Sequence, residues 1–339
     1  MDLKEVRTTA RERMKGFCKV CPVCDGRACA GEVPGMGGLG TASSFKDNVI
    51  ALAERRLNMR LMHDAVDPDT SVELFGKTLG IPVFAAPIGG VSFNMGGEIS
   101  EEEYVDGVLD GCRELGILGC TGDGVPPFIS ESGFAAITRL GGAGIPFIKP
   151  WEDKELFEKL DKAVATGADV VGMDIDAAGL ITLKKMGRPV SPKPVAKLAE
   201  IIKRYPAKFI VKGVMTPDEA RLARDAGAAG IVVSNHGGRV LDHTPGVARV
   251  LPGVAEAVKG EIAVIADGGV RTGTDVLKML ALGADAVMIG RPISVAVVGG
   301  LKEGVVAYLE QVRAQLTQAM VMTGTAKASG VDKGILFEG

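Results

Sequence analysis

Eight short apolar runs that alternate with amphipathic segments constrain the fold of this chain more than any other feature. The runs fall at 82–86, 117–120, 145–149, 169–175, 208–211, 229–234, 262–266 and 285–289. They lack the polar alternation of a half-exposed strand, as expected of parallel strands covered on both faces. Between them, 101–114, 153–166, 194–204, 217–226, 247–258 and 272–282 carry helical periodicity. One link, from Ser130 to Leu140, has only a short helical pattern. Turns such as Gly167-Ala168-Asp169, Gly227-Ala228-Ala229 and Gly283-Ala284-Asp285 precede strands, where a helix must stop. Eight strand–helix units in roughly 220 residues predict a (β/α)8 TIM barrel. A doubly wound open sheet is the competing architecture. It calls for a glycine-rich turn after its first strand, and Ala85-Ala86-Pro87-Ile88-Gly89-Gly90 is not G-x-G-x-x-G.

The chain has 339 residues, 46% of them hydrophobic, which suffices for one large barrel core. Its net charge of -3 offers no basic footprint for a nucleic acid. Residues 1–7 alternate charges without the apolar core of a secretory signal, and no run of 18 or more apolar residues occurs. A soluble, cytoplasmic protein is the expectation, with its six cysteines in a reducing compartment. The expected division is an N-terminal extension over 1–75 covering one end of the barrel, the barrel over 76–320, and a tail over 321–339.

In that extension, residues 1–16 read as an exposed or edge helix and Phe45 to Leu61 as a second helix. Between them lie Cys18, Cys21, Cys24 and Cys29 at C-x2-C-x2-C-x4-C spacing. Short loops with soft thiolate ligands suit one metal ion or an iron–sulfur cluster, although the full spacing matches no standard pattern. Redox-active thiols and inert reduced cysteines are the alternatives. The glycine-rich Gly35 to Gly40 reads either as a close approach to a ligand or as a flexible lid.

Candidate chemistry gathers at strand ends. Gly230-Ile231-Val232-Val233 runs straight into Ser234-Asn235-His236-Gly237-Gly238-Arg239, which delivers an imidazole and a guanidinium to the carboxyl end of a strand. Barrels place their active sites there. His236 can accept a proton near neutral pH and Arg239 can grip a carboxylate with two parallel hydrogen bonds. Asp267-Gly268-Gly269-Val270-Arg271 and Gly290-Arg291-Pro292 follow the last two strands. Free backbone amides and two guanidiniums predict a phosphate socket, hence a phosphate-bearing cofactor.

These three segments together resemble the FMN-dependent α-hydroxy-acid oxidase and dehydrogenase family, which includes glycolate oxidase, lactate oxidase and flavocytochrome b2. The likeness is strong over 205–292, continuous from about residue 75, and fades before it. It implies an oxidoreductase that binds FMN and converts a 2-hydroxy acid to the 2-oxo acid. By the same resemblance His236 is the base, Asp176 the aspartate paired with it, Arg239 the carboxylate anchor and Lys212 the cation beside the flavin. Ala86, Pro87, Ser234, Asp267, Gly268, Gly269, Arg271, Gly290 and Arg291 are further expected cofactor contacts. The family implies a homotetramer or larger ring, and the electron acceptor stays open.

Departures from the family pattern concern substrate recognition. Val240 stands where a glutamine usually follows the signature arginine. Phe147 and Lys149 take the places of a flavin-binding glutamine and a substrate tyrosine, which makes Lys149 a candidate substrate contact. A second substrate arginine falls on Leu183, with Lys184 and Lys185 as stand-ins, and the N-terminal tyrosine has no counterpart. An ammonium in place of a phenol changes both charge and hydrogen bonding, so simple lactate or glycolate is not the expected substrate. Two other readings remain at this point: a flavin barrel of different chemistry, like the second type of isopentenyl-diphosphate isomerase, and a non-catalytic flavin or thiol redox sensor.

Overall fold

A computed structural model of the chain describes residues 1–180, 183 and 185–338. Its centre is a closed barrel of eight parallel strands, each paired with the next in chain order and the last with the first. The eight strands are β3 (Val83–Ile88), β4 (Gly119–Thr121), β5 (Ile145–Ile148), β6 (Val170–Asp174), β7 (Lys208–Val214), β8 (Gly230–Val233), β9 (Ala263–Ala266) and β10 (Ala286–Ile289). Each falls on one of the eight apolar runs, and the open-sheet alternative is set aside by closure of β10 onto β3. Ahead of the barrel, β1 (Val72–Leu74) and β2 (Lys77–Leu79) form an antiparallel hairpin. Its turn residue Phe75 meets Gly230 at the start of β8, so the hairpin covers the barrel's amino end.

Large and small side chains alternate inside the barrel. Phe84 and Phe147 are fully buried, and a Cβ at Gly172 on β6 would collide with the Phe147 ring. Burial of each such ring stabilises the fold by about 1.5–3 kcal/mol. The surrounding helices begin on caps readable in sequence. Ser100 and Glu103 form a reciprocal capping box on Glu101–Glu114, and Thr272 and Asp275 do the same for Gly273–Ala281. The uncertain link is a full helix, Pro127–Arg139. Its Gly133, a poor helix former, lies where a Cβ would stand 2.7 Å from Thr121 Oγ1, so close packing against β4 outweighs propensity.

In the extension, the first helix is Leu3–Arg13 and buries Val6 and Ala10 against the long helix Arg291–Thr323. The second spans Ser43–Glu54, shorter than the expected 45–61. Beyond it the backbone is captured by the chain's far end. Leu57 bridges Leu336, and the Asn58 amide donates to the Ile335 carbonyl at 2.8 Å. Arg291–Thr323 is, among the described residues, one helix long and apolar enough to cross a membrane. It breaks at Gly300–Leu301, and 61% of its most apolar window is buried within the molecule.

Candidate active site

At the carboxyl ends of the barrel strands lies a cavity of about 320 Å³, large enough to hold a small-molecule ligand. Ala86, Pro87, Lys212, Asp267, Gly268, Gly269, Arg271, Gly290 and Arg291 line it, and so do His236, Arg239, Lys149 and Phe147. Ser234 does not. Its side chain is buried beneath the wall, where the hydroxyl donates to Asp267 Oδ2 at 2.7 Å and accepts the His236 amide at 3.0 Å. Its hydroxyl thus links Asp267, which does line the cavity, to the His236 backbone. Val33, Pro34 and Met36 of the extension also line the cavity, so its closing wall comes from the N-terminal segment.

A buried charge network floors the cavity. β6 and β7 run in register with Asp174 opposite Lys212, which brings Lys212 Nζ to 2.7 Å from Asp174 Oδ1. The same ammonium lies 3.5 Å from Asp176 Oδ2 and 3.4 Å from His236 Nδ1. Asp174, Asp176 and His236 could by themselves hold a metal ion. The Lys212 ammonium already lies within 3.5 Å of all three, taking the place such an ion would fill. Burial alone would lower the Lys212 ammonium, but Asp174, Asp176 and Asp267 outweigh it and hold the group above its ordinary range. Burial likewise favours the protonated Asp174 carboxyl, and the Lys212, His236 and Lys149 charges reverse that and hold it low.

His236 Nδ1 stands 2.9 Å from Asp176 Oδ1. A carboxylate can only accept, so Nδ1 carries the proton and Nε2 keeps the lone pair. His236 itself adopts a left-handed φ of 56°, followed by Gly237 at 61° and Gly238 at 78°. Such a conformation costs a non-glycine residue about 1–2 kcal/mol, and it turns the imidazole off the end of β8 into the cavity.

Arg239 donates to the Gly35 carbonyl and, at 3.2 Å, to Asn94 Oδ1. Both acceptors are neutral, and burial brings its guanidinium down to about 10. Arg291 donates to the Met36, Gly37 and Gly237 carbonyls. It is brought to about 9 by burial and then by the charges of Arg239 and Arg271. Arg271 and Arg291 face the same Phe45 ring, at 5.9 and 3.8 Å from its centroid. The glycine-rich 35–40 segment is accordingly pinned on the arginines through its carbonyls.

Three guanidiniums without a carboxylate partner beside one cavity suit an anion. The Arg271 Nε is buried without a hydrogen-bond partner, and so is Asp267 Oδ1. Gly268 and Gly269 have φ of 80° and 91°, and a Cβ on Gly269 would stand 2.5 Å from the Asn48 carbonyl oxygen. The glycine turn, the orphaned Nε and the paired arginines fit a phosphate, and the Lys212 ammonium on the cavity floor suits an electron-rich ring. The residues present fit FMN.

The four N-terminal cysteines do not close around a single ion. Among the described residues no three of their sulfurs lie within 4.8 Å of one another, and all are free thiols of intermediate burial. The loop backbone is anchored to the first helix, since Arg7 and Arg11 both donate to the Val20 carbonyl. Of the expected stand-ins for the second arginine, Lys185 is exposed and away from the cavity, while Lys184 lies outside the described residues. Leu183 is buried and lines the cavity wall.

Sequence reasoning missed Asp174, Asn48 and Asn94. Asp174 had a signal, because Asp174 and Asp176 share one face of a period-two run. Asn48 had none. Its amide bonds Asn235 at 2.8 Å and its oxygen accepts the Val247 amide at 3.0 Å, stapling the extension to the His236 loop across nearly 200 residues of sequence.

Comparison with known proteins agrees with this geometry. The sequence profile described as FMN-dependent dehydrogenase matches residues 35–194 and 182–338. An L-lactate dehydrogenase of Xanthomonas campestris is 30% identical over 342 residues, covering 85% of this chain and 88% of that protein. A 2-hydroxyacid oxidase of Dictyostelium discoideum is 47% identical over 130 residues, covering 38% of this chain and 34% of its own length. Among solved structures, a mandelate oxidase superposes with a TM-score of 0.80 at 26% identity, over 96% of this chain and 95% of that one. With its eight-stranded barrel, its arginine-lined cavity and the profile match along most of its length, the chain belongs to the FMN-dependent dehydrogenase family.

Proposed function

We propose that this protein oxidises a 2-hydroxy acid with an apolar side chain to the 2-oxo acid, with Arg239 binding the carboxylate and His236 taking the proton. The observation that carries this reading is that His236, braced from behind by Asp176, faces the same cavity as Arg239. FMN, when bound, supplies the two-electron acceptor. Lys212, Gly268, Gly269, Arg271, Gly290 and Arg291 are the residues that would hold it.

Each side chain then has a distinct task. Arg239 fixes the carboxylate by charge-assisted hydrogen bonds and so orients the α-carbon. His236 Nε2 receives the proton, and Asp176 steadies the imidazolium that results. Phe93, Val125, Ile129, Leu180, Leu183 and Met186 make the far wall apolar. That wall favours a branched or aromatic substituent over a second carboxylate. Lys149 lies at the cavity edge 3.9 Å from Asp174 Oδ2, and its position supports a role in substrate contact. The exposed Met59, Leu61, Met62 and Val66 support assembly into a homo-oligomer.

The test is anaerobic mixing of the FMN-loaded protein with a series of 2-hydroxy acids, following loss of flavin colour and formation of the 2-oxo acid. Bleaching by large apolar acids ahead of glycolate is expected. Failure of every 2-hydroxy acid to bleach the flavin overturns the reading.

A further inference from the structure

We propose that Cys18, Cys21, Cys24 and Cys29 ligate a four-iron iron–sulfur cluster at the rim of the cavity, beside the arginine-lined phosphate corner. The inference is independent of the identity of the hydroxy acid.

The first three cysteines carry the C-x2-C-x2-C spacing with which bacterial ferredoxins hold a cluster, and Cys29 supplies a fourth thiol from the same loop. A tetrahedral zinc ion with Zn–S of about 2.3 Å would draw its sulfurs to roughly 3.8 Å from one another. Among the described residues no three of these sulfurs come within 4.8 Å of one another. A cubane cluster binds each thiolate through a different iron, so it spans a wider set of sulfurs. The thiols nevertheless share one neighbourhood. Cys24 Sγ meets Arg271, and the Cys29 carbonyl packs against Gly37, whose own carbonyl accepts from Arg291 beside it.

The surroundings suit an anionic centre. Cys24 Sγ accepts from Arg271 Nη2 at 3.5 Å and Cys18 Sγ from the Val20 amide at 3.4 Å, the kind of N–H···S contact that stabilises a ligating thiolate. The loop is also preformed: Arg7 Nη2 reaches the Cys21 carbonyl at 2.6 Å, and Val20 is held at a left-handed φ of 44°. A β-branched residue adopts that conformation only where its surroundings impose it. None of the four thiols belongs to the barrel core, in contrast to Cys112 and Cys120.

The test uses the full-length, FMN-loaded chain purified without oxygen, reconstituted with ferrous iron and sulfide, and freed of unbound metal. About four irons and four acid-labile sulfides per chain are expected, with an electron paramagnetic resonance signal after dithionite reduction. Replacement of any one ligand (Cys18→Ser, Cys21→Ser, Cys24→Ser or Cys29→Ser) should remove most of the iron while FMN content stays near wild type. Val23→Ser, at an exposed position in the same loop, should keep it. Less than one iron per chain in the flavin-loaded wild type, stoichiometric zinc in its place, or iron that persists in all four variants would each overturn the proposal. The wild-type metal content decides the matter even where a variant fails to fold.

Discussion

His236 Nδ1 and Asp176 Oδ1 lie 2.9 Å apart although 60 residues separate them, and the contact exists because the ends of β6 and β8 flank the end of β7. It sets the tautomer that leaves Nε2 free as a base. His236→Ala should lower kcat by about 10²–10⁴-fold while flavin content is retained, as read by stopped-flow bleaching of the cofactor. Bleaching at the wild-type rate would remove His236 from the mechanism.

Arg239 has only neutral protein acceptors, so its charge is available to a substrate carboxylate. Arg239→Lys keeps the charge and loses the planar fork. It should raise KM about tenfold to a hundredfold, equivalent to one or two charged hydrogen bonds at about 1.5–3 kcal/mol. With Arg239 brought to about 10 by burial, wild-type affinity for a carboxylate inhibitor should fall as the pH rises through that value. An inhibitor titration from neutral to alkaline pH measures this directly.

Asp174 neutralises Lys212 from inside the barrel, with Lys149 nearby. Asp174→Ala strands buried cations and should cost about 3–5 kcal/mol in denaturant unfolding. Because the folded protein holds this carboxyl below its unfolded value, the pair's contribution is present above about pH 4 and is lost as the pH falls through the acid range. The wild type should therefore lose stability on acidification more steeply than Asp174→Asn. Equal slopes would show that the pair does not govern acid stability.

Gly268 takes a φ of 80°, and a Cβ there would stand 2.8 Å from Asn48 Oδ1. Gly268→Ala should lower FMN occupancy and stability together, the latter by at least about 1 kcal/mol from the left-handed backbone alone. Flavin absorbance per chain and a thermal melt supply the two readouts. Full occupancy with an unchanged Tm would show that this turn tolerates a side chain.

Much of this protein was legible in its sequence because the information is local. Strand periodicity, the capping residues Ser100 and Thr272, and the jump from Val233 to Ser234 each operate within a few residues. The same holds for the convergence of His236, Arg239, Arg271 and Arg291 on one cavity, which follows from their places just beyond a strand's carboxyl end. What the tertiary structure alone decided are relationships across many residues. Strand register set Asp174 against Lys212, closure of the barrel moved Ser234 behind the wall, and Asn48 was drawn onto Asn235. Capture of Leu57 by Leu336 likewise ended a helix that local pattern would have prolonged. The physical reason is common to all: propensity and patterning act along the chain, whereas pairing of a buried charge or amide is enforced by desolvation, which depends on neighbours that only folding brings within reach.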